Sequence, residues 1–215
     1  MIVTVTSYKG GVGKTTTAVH LAGLLAAKAA TALIDGDDNR SATKWNNRGP
    51  LPYPVVDERQ TARAARQYEH LVIDTSARPN LEDLKALVAG CDLLVIPSTP
   101  DAMALDALMD TVDTLRQLGS EHYRILLTAV PPKPSRDGAE ARAMLEEAGL
   151  PIFRSSIRRL AAFQKATLGG HLVRDVDDVR AALGWQDYVD IGKEMMNEQV
   201  FRVVGTPKNQ STARA

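Results

Sequence analysis

The residues that most restrict this chain are Lys9-Gly10-Gly11-Val12-Gly13-Lys14-Thr15-Thr16, which follow directly on the apolar run Ile2 to Thr6. A β-forming run, a glycine-rich turn, Lys-Thr and a helix-forming segment, in that order, is the layout of a phosphate-binding loop. The glycines let the backbone curl round a polyphosphate without Cβ clashes, so several N–H groups turn inward. A helix starting at about Thr15 adds its positive end to the same anion. Lys14 reaches the outer phosphates as a point charge, and the Thr15 hydroxyl is placed to ligate Mg²⁺. Gly10, Gly11, Val12, Gly13, Lys14, Thr15 and Thr16 are therefore the expected cradle for ATP with Mg²⁺.

Acidic residues close two of the following apolar runs. Thr31 to Asp35 reads as a strand ending in Asp35-Gly36-Asp37-Asp38-Asn39-Arg40, and His70 to Thr75 as a strand carrying Asp74 near its end. Carboxylates at the carboxyl ends of strands lie where ligands sit in open α/β sheets. An apolar strand ending in Asp downstream of a phosphate loop is the Walker B pattern, in which the Asp holds magnesium, often through water.

Apolar runs that read as strands alternate with helical periodicity along the chain. Further strands are expected at Val55-Val56, Leu93 to Pro97, Arg124 to Val130 and Pro151 to Phe153. Helices are expected over Thr15 to Lys28, Ser41 to Asn47, Thr61 to Tyr68, Asn80 to Ala89, Ala102 to Leu118, Asp137 to Ala148, Arg158 to Thr167 and Val176 to Asn197, the last carrying Val179, Leu183, Trp185, Val189 and Met195. This alternation predicts an α/β fold: a doubly wound, mostly parallel sheet with helices on both faces, in one domain over 1–200. The stretch 201–215, most clearly from Gly205, reads as a polar, disordered tail. Lys+Arg 26 balances Asp+Glu 26, so any attraction to nucleic acid must come from a local patch. The single cysteine, Cys91, allows no disulfide within the chain. Met1 opens straight into the first strand and no apolar run reaches membrane-span length, so a cytoplasmic location without a membrane partner is expected.

Lys9 sets this loop apart, since an ordinary phosphate loop needs no cation at its mouth. The box resembles the deviant Walker A motif of the ParA/MinD family of ATPases, K-G-G-x-G-K-[TS]-T. The resemblance covers Ile2 to roughly Lys193. It implies that Lys9 crosses a homodimer interface to the partner's nucleotide, making Lys9, Lys14 and Asp37 the catalytic residues. Asp35 and Asp37 match the two carboxylates of the family's D-x-D-P-Q box, the second acting on the attacking water, while Asp38-Asn39 departs from its Pro-Gln. Thr15, Asp35 and Asp74 then surround the metal, and Pro131 and Pro132 form an apolar wall for adenine.

Pro151 to Arg174 holds Arg154, Arg158, Arg159, Lys165 and Arg174 and no acid. Such a face binds phosphate backbone without reading sequence, although Arg stems covering apolar surface produce the same pattern. ParA-type proteins bind DNA through this region, which implies nonspecific DNA binding by Arg154, Arg158, Arg159 and Lys165 and association with the nucleoid. One cysteine cannot supply the two cluster ligands of the nitrogenase iron protein, and Gly205-Thr206-Pro207-Lys208-Asn209 is a poor membrane helix. The resemblance therefore implies a short ParA-type partitioning or positioning ATPase, slow alone and stimulated by a cargo-bound partner. Its cargo is a plasmid, a chromosome region or a protein body such as a carboxysome, as in the McdA subgroup, with a ParB-like or McdB-like activator. The alternative of another class is a dethiobiotin synthetase-like enzyme that phosphorylates a small acceptor.

Overall fold

The computed structural model describes the backbone of residues 1–205 and side chains as far as Asn197; of the disordered tail expected over 201–215, residues 201–205 instead continue the last helix, and 206–215 lie outside the described residues. Strands β1 (Ile2–Val5), β2 (Thr31–Gly36), β3 (Val55–Asp57), β4 (His70–Thr75), β5 (Leu93–Ser98) and β6 (Tyr123–Leu127) form one sheet in the order β3-β2-β4-β1-β5-β6. Every neighbouring pair is parallel. Near-continuous apolar runs suit strands covered on both faces, and parallel pairing forces a crossover between them. The chain leaves β1 towards one edge and β4 towards the other, so their carboxyl ends open between diverging connections.

One face carries α1 (Lys14–Ala26), α2 (Ser41–Arg48), α7 (Ala161–Gly169) and α8 (Ala181–Gly205). Its core joins Val3, Val5, Leu33, Val72 and Val95 to Leu21 and Leu25 of α1 and Tyr188 and Ile191 of α8. Each such fully buried aliphatic side chain contributes roughly 2 kcal/mol. Gly192 lets α8 lie against α1, because a Cβ there would stand 1.9 Å from Leu24 Cδ2. The other face carries α3 (Thr61–Gln67), α4 (Leu81–Gly90), α5 (Ala102–Gln117) and α6 (Asp137–Glu147). Among the described residues no helix is long and apolar enough to cross a membrane.

Four expected elements differ, the strand expected over Arg124 to Val130 running instead from Tyr123 to Leu127. Pro151 to Phe153 makes only a single bridge, Ile152 to Ile125. The helix expected from Arg158 begins at Ala161, because Val130 bonds Ile157 O and Arg159 N in extended geometry (2.9 and 2.8 Å). The last helix starts at Ala181 rather than Val176, since Arg180 N donates to Asp178 Oδ1 (2.9 Å) in a local turn that competes with helix. Val179 consequently precedes the helix and is 99% exposed.

His20 ties the layers of the first face together. It is fully buried, stacked on Tyr188 (4.7 Å between ring centroids) and edge-on to Trp45 and Phe163. Its Nδ1 donates to Thr16 O (2.6 Å) and its Nε2 accepts from Val173 N (2.9 Å), which fixes a neutral ring. Burial pushes its pKa down from 6.5 to about 4. With the folded value below the unfolded one, this stabilisation is complete above the unfolded pKa and is lost as pH falls towards the folded pKa. Asp74, whose carboxyl is raised by burial, has the opposite slope. Urea unfolding of wild type against His20→Gln isolates the histidine: between about pH 7.5 and about pH 5 the wild type should lose ~2 kcal/mol more than the variant.

Candidate nucleotide site

The glycine loop is built between the end of β1 and α1. Gly13 adopts φ 88°, a left-handed conformation cheap only for glycine, and its carbonyl accepts from Thr17 N (2.8 Å) to start the helix. No side chain caps α1, so its first N–H groups stay available to an anion. From behind, Thr128 Oγ1 donates to Val12 O (2.8 Å). Sequence reasoning missed Thr128; its place just past β6, at the carboxyl edge of the sheet, was the one available signal.

Lys14 lies across this cradle, its Nζ donating to Lys9 O (3.3 Å). Burial lowers its pKa, while Asp74 and Asp37 pull the other way. Asp74 is fully buried, and neither carboxylate oxygen has a hydrogen-bond partner. Burial first, then the Asp35 and Asp37 charges, push it up to about 7; the Thr15 hydroxyl tempers the shift from nearby, without bonding geometry. A carboxylate left unpaired beside a threonine hydroxyl and a phosphate cradle fits a hard divalent cation. Among the described residues no three carboxylates, histidines or cysteines converge as a metal cage, so such an ion needs oxygens from the phosphates as well.

The two carboxylates after β2 do different work. Asp35, expected among the metal ligands, accepts from Thr43 N (2.8 Å) and Thr43 Oγ1 (2.5 Å) with one oxygen and from Asp37 N (3.3 Å) with the other. It anchors α2 and the turn rather than presenting a free carboxylate. Asp37 lines the phosphate-side cavity of about 350 Å³ together with Lys14, Thr15 and Thr16. Its oxygens accept from Ser41 Oγ (2.6 Å), Asn39 N (3.3 Å) and Asn39 Nδ2 (3.4 Å). The Asn39 departure from the usual box thus supplies donors that hold Asp37. Arg40 ends the turn at φ 52°, its guanidinium on Asp35 O (2.9 Å) and Asp57 (2.6 Å).

A second cavity, of about 210 Å³, lies on the other side of Gly11 to Gly13, between Thr128-Ala129 and Leu160, Phe163 and Gln164. Leu160 and Phe163 form its apolar wall; Pro131 and Pro132 do not line it, and Pro132 is exposed. The Lys9 ammonium makes no hydrogen bond or ion pair within the described residues; its charge is felt at Asp101, where Thr99 and then Ala104 N also hold the pKa down.

The basic stretch is partly neutralised by acids from elsewhere. Arg158, expected to face DNA, grips Asp187 of α8 through Nε (2.9 Å) and Nη2 (2.5 Å), and Lys165 meets Asp178 (3.0 Å). Arg154 and Arg159 keep guanidinium groups without an ion pair among the described residues, and both are exposed.

Residues 3–173 match the CobQ/CobB/MinD/ParA nucleotide binding domain. The chain belongs to this family. Among ParA/MinD relatives, a maintenance of carboxysome distribution protein A from Gloeobacter kilaueensis is 34% identical over 201 residues, 90% of this chain and 93% of that protein. Protein ParA of Rhizobium radiobacter is 29% identical over 191 residues, 80% of this chain and 84% of its own. A plasmid partition protein of Borrelia burgdorferi B31, solved with AMPPNP bound, shares the fold at a TM-score of 0.69 and 18% identity, over 92% of this chain and 98% of its own.

In this ParA/MinD chain the Arg158–Asp187 pair is structural: the Asp187 side chain is 7% exposed and the Arg158 side chain 44%. Arg158→Ala leaves a buried carboxylate short of its cation and should destabilise by roughly 1–3 kcal/mol, whereas Arg159→Ala should stay within ~0.5 kcal/mol. Thermal unfolding of the two variants separates them.

Proposed function

We propose that this chain is an ATP-driven positioning protein that pairs on binding ATP, holds DNA nonspecifically while paired, and lets go after hydrolysis. The observation that carries the reading is Lys9: a cation at the mouth of the phosphate cradle, with no ion-pair partner among the described residues. A second copy closing face to face would give that ammonium an anion, the partner's nucleotide. ATP binding and subunit pairing then become one event.

The site residues divide the chemistry. The loop N–H groups and Lys14 hold the phosphates; Thr15 and Asp74 would hold Mg²⁺, which offsets phosphate charge. Asp37, oriented by Ser41 and Asn39, accepts a hydrogen bond from the attacking water and aims it. Loss of the γ-phosphate removes what Lys14 and the partner's Lys9 both bind, and the pair loosens. A cargo-bound activator that binds the paired state preferentially would bias this cycle. The full-length similarity to a carboxysome distribution protein favours a protein body as cargo and an McdB-like activator; a plasmid with a ParB-like activator is the alternative that the ParA similarity supports. The protein would work in the cytoplasm, on the nucleoid.

Sedimentation with ATP and Mg²⁺ tests the pairing. Lys14→Ala should abolish nucleotide binding. Lys9→Ala should bind ATP yet stay monomeric, with phosphate release at least ~10-fold slower, about 1.4 kcal/mol of lost transition-state stabilisation. A Lys9→Ala chain that pairs and hydrolyses like wild type rules the trans contact out.

DNA retention rests on Arg154 and Arg159 in this reading, since Arg158 and Lys165 already have acidic partners. Arg154→Ala with Arg159→Ala should weaken DNA retention about tenfold and flatten its salt dependence, each lost phosphate contact removing roughly one from the log–log slope. Filter binding across a salt series measures both, and an unchanged slope counts against this surface.

A further inference from the structure

The two faces of the sheet are covered unequally. The α1 face has one continuous core, but on the opposite face the apolar residues split into two clusters. One is Ala32, Ile34 and Leu71 beneath Ala64 of α3; the other lies on β5 and β6 beneath α4, α5 and α6. Between them lies a cavity of about 580 Å³, floored by Ile2, Thr4, Ile34 and Ile73 and walled by α4. Central strands of a parallel sheet are ordinarily covered on both faces, yet Ile2 of β1 and Ile73 of β4 are only half-buried. Helix α4 leaves the gap open, since Leu84 is its one buried residue.

Two independent features say what the cavity would take. The Thr4 hydroxyl on its floor is fully buried and makes no hydrogen bond; the Cys91 thiol, a weak partner, senses it without reaching bonding geometry. The charged residues of the lining are Asp38, Glu58 and Asp83, with no cation among them and no ion pair to any of the three among the described residues. Glu58 overhangs the floor, its Oε2 being 3.5 Å from where a Cβ on Gly36 would stand. A bare metal ion gains nothing from isoleucines, and a neutral hydrophobe would desolvate carboxylates without replacing their water. A methylene chain with ammonium ends satisfies both, and the volume lies in the range of small-ligand sites.

We propose that this cavity binds an aliphatic diamine or polyamine. The methylenes lie on Ile2, Ile34 and Ile73, and the ammonium groups meet Asp38, Glu58 and Asp83, with the Thr4 hydroxyl accepting from an amine. Gly36 and Asp38 flank Asp37, and Thr75 and Ser76 follow Asp74, so an occupant touches both loops of the nucleotide site and fixes one against the other.

The test is a titration of the full chain, free of nucleotide and DNA, labelled at isoleucine methyls and followed by NMR. Spermidine and putrescine should give saturable shifts at Ile2, Ile34 and Ile73, with Ile157 and Ile191 of the other face unmoved. Glu58→Gln with Asp83→Asn should raise Kd by about tenfold or more, and Ala86→Trp, which fills the cavity and leaves the charges, should abolish the shifts. Shifts that are missing at millimolar spermidine, that persist in the doubly neutralised chain, or that Mg²⁺ at equal ionic strength or hexane-1,6-diol reproduces, overturn the proposal. An arginine-rich peptide acting where spermidine does not would assign the cavity to a protein partner and overturn it as well.

Discussion

Asp74 is the constraint around which the site is arranged. A fully buried carboxylate with no hydrogen-bond donor is costly in any protein, and here two more carboxylates raise the cost further. The fold relieves it only in part: the Thr15 hydroxyl tempers the shift, and Lys14, the one cation that opposes it, is itself partly desolvated and bonded to Lys9 O. The strain is resolved by what the uncapped helix end and the glycine loop attract. A polyphosphate with a divalent cation brings positive charge to Asp74 and negative charge to the loop N–H groups at once. This charge arrangement would suit a metal nucleotide better than either part alone, as the proposed function requires.

The environment of each carboxylate assigns its role more sharply than its position in the chain. Asp35 and Asp37 stand two residues apart, yet one is consumed by Thr43 and the turn backbone while the other faces the phosphate cavity. By anchoring α2 through Asp35, the fold fixes Ser41, which in turn orients Asp37. Three donor bonds on Asp37 restrict its rotation. A carboxylate held in this way fits the water-aiming role proposed for it.

Much of this was legible in the sequence because the information was local. The strand order of apolar runs, the glycine loop and the acids at strand ends are short-range patterns, and the doubly wound parallel sheet follows from them. What escaped depends on residues distant in the chain. Thr128 reaches Val12, and Asp187 neutralises Arg158, and no spacing rule links either pair. The acid-free stretch from Pro151 to Arg174 was real, but acids from α8 and the loop before it fold back onto it. The cavity beside the cradle depends on distant residues as well: extended pairing of Val130 with Ile157 and Arg159 delays α7 and brings Leu160 and Phe163 to its wall.

The remaining question is how the state of Asp74 is felt at Lys9, and the loop after β4 gives a physical path. Arg78 sits at φ 59°, a strained conformation for a residue with a side chain. It is held there by its N–H on Ser7 O (3.3 Å) and its Nε on Tyr8 O (3.2 Å). Ser7 also accepts from Lys9 N (3.2 Å). The segment that follows Asp74 is thereby fastened to the two residues preceding Lys9. A shift of that segment when a metal nucleotide binds or leaves must either move the mouth of the cradle or break these bonds. Where the bonds hold, such a shift would carry Lys9 with it, and so move the ammonium that the proposed pairing uses.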